Sequence, residues 1–132
     1  MEPVPVPPYA GFMTARPRIL LVDDSPRVRA TIRAIVADLA SEMAECFDGA
    51  QVLASFEAFR PDVVLMDIRM PGMDGIEATA LLKKAHPKAR VVMVSDHEQE
   101  DLRLAAREAG AEAYVAKTDL LVLRRLLGSN SG

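Results

Sequence analysis

Five side chains in this 132-residue chain carry reactive or ligating groups in a suggestive arrangement. They are the carboxylates of Asp23, Asp24 and Asp67, the hydroxyl of Ser95 and the ammonium of Lys117. The adjacent pair Asp23-Asp24 and the three others, far apart in sequence, come after four short apolar runs: "ILLV", "VVLM", "VVMV" and "AYVA". Crowded carboxylates repel one another, and at least one pKa must rise unless a counter-charge intervenes. A hard divalent cation relieves that repulsion, and Mg²⁺ prefers oxygen ligands in an octahedral array with several waters retained. A metal held this way also grips a phosphoryl oxygen and aligns an incoming donor. Asp67 would then be a carboxylate nucleophile that takes a phosphoryl group as an acyl phosphate. Lys117 and Ser95 would bind the remaining phosphoryl oxygens.

Each residue also has a plainer reading. "DDS" serves as a helix-capping cluster, Asp67 as a turn cap, Ser95 as the end of a strand, Lys117 as a solvated lysine. Their joint placement, with acid pair, acid, hydroxyl and lysine each after a different apolar run, is what favours a shared site.

Such a site requires a fold that delivers all five groups to one place. The apolar runs at 19–22, 62–66, 91–94 and 113–116, with a weaker one at 42–47, are too short for helices, and three are rich in valine, so they read as strands. Helical spacing lies between them. The predicted stripes are Val28, Ile32, Ile35, Val36 and Leu39; Val52, Leu53, Phe56 and Phe59; Ile76, Ala80 and Leu81; Leu102, Ala105, Ala106 and Ala109; and Leu120, Leu123 and Leu127. Ser25 with Pro26 marks a helix start, while Asp74 with Glu77 and Asp96 with Gln99 have capping-box spacing. Pro61, Pro87 and Gly110 follow helical stretches.

The pattern is five β–α units. Near-continuous apolar strands imply a parallel sheet buried on both faces, hence an α/β, doubly wound five-stranded sheet of order 2-1-3-4-5. In a parallel sheet all strand ends share one rim, so Asp23, Asp24, Asp67, Ser95 and Lys117 are expected to meet there, near the switch between strands 1 and 3.

Composition narrows the functional classes. A formal net charge of -3 argues against broad binding to nucleic acid or anionic membrane. No apolar run is long enough to cross a bilayer. The single cysteine, Cys46, forms no internal disulfide, and a reducing, cytoplasmic home is the simplest reading. "MEPVPVPPYAGF" lacks the basic and apolar regions of a signal peptide and reads as an extended arm over 1–16, with translation from Met13 as an alternative start. One domain is expected over 17–128, with a tail at 129–132.

The motifs "LLVDDS", "VVLMDIRMPGMDG", "VVMVSDHE" and "GAEAYVAKTD" together resemble the receiver domain of bacterial two-component response regulators, over roughly Arg18 to Leu127. Thr118 after Lys117 and the "VSDHE" segment are similar to receivers attached to LuxR-type (NarL/FixJ-like) DNA-binding domains. The resemblance implies a flavodoxin-like fold and a phosphoacceptor at Asp67, charged by a histidine kinase, a phosphotransfer protein or a small acyl-phosphate donor. It implies Mg²⁺ bound by the side chains of Asp24 and Asp67 and the backbone carbonyl of Arg69, with Asp23 assisting. Lys117 would pair with the phosphoryl group, and Ser95 and Tyr114 would form a switch pair. The downstream partner is an unidentified protein, and the surface of helix 4, strand 5 and helix 5 is a candidate homodimer face.

Two departures matter. Many receivers have a small residue after the switch hydroxyl, and here Asp96 follows Ser95; it is expected to cap the fourth helix, the alternative being an inward carboxylate that slows anionic donors. Thr118 replaces a common proline after the lysine, so no cis bond is assumed. Arg27, Arg29 and Arg33 are expected on the solvated side of the first helix, with kinase docking as the alternative, and Arg124 and Arg125 either face water or pair across a dimer. His86 reads as loop and His97 as a surface residue. Competing functions are a receiver-like module that signals without phosphate, a receiver fragment of a transcription regulator, and a Mg²⁺-dependent phosphohydrolase. Against the last, Arg69 stands where such enzymes commonly need an acid.

Overall fold

In the computed structural model the residues described are 16–96 and 99–128. The expected arm, Met13, His97 and the tail therefore lie outside the described residues.

Five parallel strands form one sheet in the order β2-β1-β3-β4-β5. The strands are β1 (Arg18–Val22), β2 (Glu42–Cys46), β3 (Val63–Met66), β4 (Val91–Ser95) and β5 (Ala113–Ala116). The register runs Ile19 to Val63, Val64 to Val91 and Val92 to Ala113 across the centre of the sheet. Five α-helices connect and follow them: α1 (Pro26–Val36), α2 (Val52–Phe59), α3 (Gly75–Ala85), α4 (Glu100–Ala109) and α5 (Val122–Gly128). Single 3₁₀ turns at Ala37–Leu39, Gly49–Gln51 and Lys117–Asp119 extend three of the connections.

Strand periodicity splits the core in two. Leu20, Val22, Val64 and Met66 point to one face and pack against Phe56 of α2, Leu82 of α3 and Ala106 of α4. Ile19, Leu21, Val63 and Leu65 point to the other and pack against Ile32 and Val36 of α1 and Leu123 of α5. Side chains alternate along a strand, so the same strands serve both layers through alternate residues. Each fully buried Leu, Ile or Val contributes roughly 1.5–3 kcal/mol to holding helices on the sheet. This is the doubly wound architecture expected from the strand composition.

The helix starts follow local chemistry. The Ser25 hydroxyl accepts the Val28 N–H at 3.2 Å, and Pro26 occupies the first turn of α1. Asp74 and Glu77 form a reciprocal capping box at α3: the Asp74 carboxylate accepts the Glu77 N–H at 2.9 Å, and Glu77 accepts the Asp74 N–H at 3.2 Å.

Several expectations are corrected. The buried stripe of α3 is Gly75, Ala78, Thr79 and Leu82, with Ile76 partly buried against the core as expected, whereas Ala80 and Leu81 face outward; Leu81 is 48% exposed. Gly75 packs backbone to backbone against the loop after β3. Leu53 also faces outward, leaving Val52 and Phe56 as the buried pair of α2. Leu39 belongs to the 3₁₀ turn after α1. The Asp96–Gln99 box does not start α4; Gln99 is its N-cap, with no side-chain cap bond, and Asp96 lies outside the helix. Arg124, 41% exposed, is also paired within the chain: its guanidinium donates to both Asp38 carboxylate oxygens, at 2.7 and 3.0 Å, and to the Ile35 carbonyl at 2.8 Å. His86 does lie in the loop after α3, as expected, where it is the helix C-cap, with its ring nitrogen 2.9 Å from Glu57 and its ring 4.9 Å from that of Phe56.

Candidate functional site

The C-terminal ends of β1, β3, β4 and β5 open on one rim, and the acidic residues emerge there. Asp67 follows the last residue of β3, and its N–H donates to the Val22 carbonyl at 2.9 Å, which continues the ladder one step past the strand. Asp23 likewise donates its N–H to the Cys46 carbonyl at 3.1 Å. Asp23 and Asp67 are buried and Asp24 is exposed. Ligand oxygens from the three all lie within 4.8 Å of one another.

Lys117 sits at the start of the turn after β5 and reaches across the rim. Its Nζ is 3.1 Å from Asp23 Oδ2 and 3.2 Å from Asp67 Oδ1. The Asp23 contact is an ion contact without hydrogen-bond geometry, because Oδ2 is a buried atom that accepts no directed hydrogen bond. The other oxygen, Oδ1, accepts the Ser25 N–H at 2.9 Å, which fixes the carboxylate plane.

The electrostatics follow from this crowding. Burial, the Asp23 charge and the Asp24 charge together push the Asp67 pKa up from 3.8 to about 6, against the opposing pull of Lys117. Burial works to lower the Lys117 pKa, yet the carboxylates of Asp67 and Asp23 outweigh it and hold it above the usual lysine value. Two unit charges 4 Å apart interact by roughly 4 kcal/mol at an effective dielectric near 20. With all groups ionised, one ammonium faces three carboxylates, and a net double negative charge is left over.

These residues fit a hard divalent cation. The donors are carboxylate oxygens, one of them a buried atom without a hydrogen bond, and the residual charge matches a 2+ ion.

Ser95 is the last residue of β4 and is fully buried. It pairs with Ala116 in the register, directly before Lys117. Tyr114 lies two residues earlier on β5, opposite Met93; it is half-buried, and the Arg103 guanidinium stands 4.6 Å from its ring centroid. Arg69 is exposed in the loop after β3, where it lines a shallow cleft with Met70, Pro71, Gly72 and Asp74. No peptide bond among the described residues is cis, including that between Lys117 and Thr118. The structure thus gathers Asp23, Asp24, Asp67 and Lys117 into direct proximity, and sets Ser95 at the same rim with Tyr114 on the neighbouring strand.

Two residues that position the site were not singled out for that role. Gly75, the first residue of α3, donates its N–H to the Ile68 carbonyl at 2.8 Å, and a Cβ added there would fall 1.9 Å from the Asp67 carbonyl oxygen. Only glycine allows α3 this close to the loop that carries Asp67. Arg29 is the second. Rather than pointing to solvent, its side chain is 15% exposed. Its guanidinium donates to the Asp23 carbonyl at 2.6 Å and to Glu45 at 2.8 Å, and so ties α1 and β2 to the acid-bearing loop. Its proximity to "DDS" and the acid at Glu45 were the available signals. Arg33 joins the same carboxylate, 2.8 Å from Glu45, and together the two arginines hold the Glu45 pKa low against its partial burial.

Comparison with known proteins agrees with this geometry. The response regulator receiver domain family matches residues 19–125. Chemotaxis protein CheY of Bacillus subtilis is 39% identical over 101 residues, covering 76% of this chain and 84% of the relative. Response regulator GacA of Pseudomonas viridiflava is 37% identical over 102 residues, covering 76% of this chain and 48% of the relative, so the chain spans about half the length of that regulator. Among solved structures, a LuxR-family two-component response regulator from Aurantimonas sp. SI85-9A1 superposes with a TM-score of 0.80 at 32% identity, over 89% of this chain and 87% of that one. A five-stranded 2-1-3-4-5 sheet, an acid cluster at its carboxyl rim and a matched span that runs from within β1 through β5 lead to one assignment: this chain belongs to the response regulator receiver domain family, a family of signalling domains.

Proposed function

We propose that Asp67 accepts a phosphoryl group from a histidine kinase, a phosphotransfer protein or a small acyl-phosphate donor, and that the charge change switches a protein-binding surface. The observation that carries this is the contact of one lysine with two buried carboxylates: Lys117 lies 3.1 Å from Asp23 and 3.2 Å from Asp67. In this reading an Asp67 carboxylate oxygen attacks phosphorus. The bond from phosphorus to the donor breaks, and its electron pair leaves with the donor. Lys117 then follows the new negative charge and pairs with a phosphoryl oxygen.

The metal assigned to the site is Mg²⁺, held by the side chains of Asp24 and Asp67 and the Arg69 carbonyl, with Asp23 assisting. When bound, it supplies charge neutralisation and alignment of the phosphoryl oxygens. Ser95 donates its hydroxyl to the new phosphoryl group, and Tyr114 turns into the space that motion frees. Turning the Asp67 carboxylate into an acyl phosphate adds about one negative charge and three phosphoryl oxygen acceptors, sufficient to bias two arrangements of a surface. The surface so biased is α4, β5 and α5, which then binds a downstream protein or a second copy. The receiver unit is assigned to 17–128, after an arm at 1–16. A cytoplasmic setting suits a free, buried Cys46.

Incubation with a small acyl-phosphate donor, with and without Mg²⁺, followed by intact mass tests the reading. Gain of one phosphoryl group that requires Mg²⁺ and is lost in Asp67→Asn is expected. No gain under either condition would favour a module that signals without phosphate.

A further inference from the structure

At the opposite end of the sheet from the acid rim is a cleft of about 410 Å³ between the α2–β3 and α3–β4 connections. Its lining includes Phe56, Arg60, Pro61, His86, Pro87 and Lys88. The surface combines flat rings with donors. The His86 ring stands 4.9 Å from that of Phe56, Pro61 and Pro87 supply further ring surface, and Arg60 and Lys88 are exposed cations. Arg60 is also the one non-glycine residue described with positive φ, at 54°, which ends α2 and turns the chain along the cleft. None of these groups takes part in the phosphoryl site.

We propose that the cleft is the docking site of this chain's own proline-rich segment, Pro3 to Tyr9. Three observations point to that occupant. The first is attachment: the chain enters the fold at the cleft, since the Arg18 N–H donates to the carboxylate of Asp62, itself a lining residue, at 2.8 Å. The Arg18 guanidinium anchors that point by donating to the Phe59 carbonyl at 2.6 Å and to the Arg60 carbonyl at 3.3 Å.

The second is reach. Residues 10–15 span up to roughly 20 Å when extended, and the seven residues from Pro3 to Tyr9 cover about 22 Å as a polyproline II helix. Tethering of this length supplies an effective concentration of order millimolar, so a weak contact suffices.

The third is complementarity. In "PVPVPPY" Pro3, Pro5, Pro7 and Pro8 have no N–H, so the segment offers mostly carbonyl acceptors and proline rings. Prolines stack on flat ring surfaces, and their carbonyls need donors. The cleft offers both. The carboxylate of Glu2 and the ring of Tyr9 suit the Arg60 and Lys88 cations, the ring through cation–π contact.

Photo-crosslinking of the full chain tests this. With p-benzoylphenylalanine in place of Tyr9, irradiation at low protein concentration and peptide mapping locate the nearest surface. Cross-links within the same chain to residues 60–62 and 85–90 are expected, falling several-fold when Arg60→Glu and Lys88→Glu are combined. A full-length variant with Pro3, Pro5, Pro7 and Pro8 all changed to serine, compared with the unchanged chain by amide resonances, gives a second reading. Its shifts are expected at the same two connections. Cross-links between two copies, cross-links scattered over the surface, absence of cross-links, or amide shifts confined to residues beside the arm would each overturn the proposal.

Discussion

Gly75 and Asp67 meet backbone to backbone: the glycine Cα lies so close that a single added carbon would fall 1.9 Å from the Asp67 carbonyl oxygen. The capping box of Asp74 and Glu77 sets the direction of α3, and the Gly75 N–H bond to Ile68 draws its first turn onto the loop after β3. The carboxylate end of β3 is therefore held by a helix terminus as well as by the sheet.

This contact predicts that Gly75→Ala is costly although alanine is the better helix former. Overpacking against backbone, which cannot move aside as a side chain can, costs about 1–3 kcal/mol. Urea denaturation is expected to show that loss, and the rate of Asp67 phosphorylation is expected to fall with it. A variant as stable as the parent would mean that α3 shifts freely.

The raised pKa of Asp67 makes a pH prediction with a definite sign. An acid whose pKa is higher in the folded state stabilises the fold while it is protonated. Its contribution is full below 3.8 and is lost as pH rises through about 6. Without divalent metal, Asp67→Asn escapes that loss and is expected to be more stable than the parent at pH 8, by roughly 1–2 kcal/mol after solvent screening. The difference is expected to vanish near pH 4 and to shrink at pH 8 when Mg²⁺ is added. Thermal melts across pH in chelator and in Mg²⁺ provide the check, and an asparagine variant less stable than the parent at pH 8 would refute it.

The two arginines tied to carboxylates are expected to behave differently. Arg29 is mostly buried and satisfies the Asp23 carbonyl as well as Glu45, so Arg29→Met is expected to cost about 1.5–3 kcal/mol. Arg124 pairs with Asp38 at the surface, with side-chain exposures of 41% and 65%, and Arg124→Met is expected to leave the denaturation midpoint little changed. Denaturation midpoints of the two variants compare them directly, with equal losses as the contrary outcome.

Much of the site is legible in the sequence because strand ends are. An apolar run of four or five residues that stops at Asp23, Asp67, Ser95 or Lys117 marks where a buried strand emerges, and parallel strands emerge together. Ser25 and Asp74 announce their helices by cap chemistry. What is not legible depends on contacts that leave no hydrophobic trace. The buried face of α3 includes Gly75, which has no side chain, and Thr79, a polar residue that is wholly buried, so of Ile76, Ala80 and Leu81 only Ile76 packs against the core. Arg29 looks like one of three solvated arginines until the fold brings Glu45 and the Asp23 carbonyl to it. The start of α4 misleads for a third reason: the Asp96–Gln99 spacing is right for a box, but Gln99 is itself the N-cap and the helix begins at Glu100.

Asp96 itself supports a rate prediction. It is exposed, directly follows buried Ser95 and is not the N-cap of α4. A carboxylate roughly 8 Å from an approaching anion costs about 0.5 kcal/mol in water, or roughly twofold in rate. Phosphorylation by a small anionic donor is expected to be about twofold faster in Asp96→Ala at low salt, with the gain screened away at high salt. Equal rates at low salt would show that Asp96 does not act on donor approach.

The central claim is that Asp67 is the residue that becomes phosphorylated. Borohydride reduces an acyl phosphate on aspartate to homoserine, so treatment of the donor-labelled protein followed by peptide mapping reads the position directly. The account predicts homoserine at position 67 alone, dependent on Mg²⁺ and greatly diminished in Lys117→Ala. Homoserine at position 23 or 24, or a phosphoryl group that resists reduction and maps to serine or histidine, would contradict it.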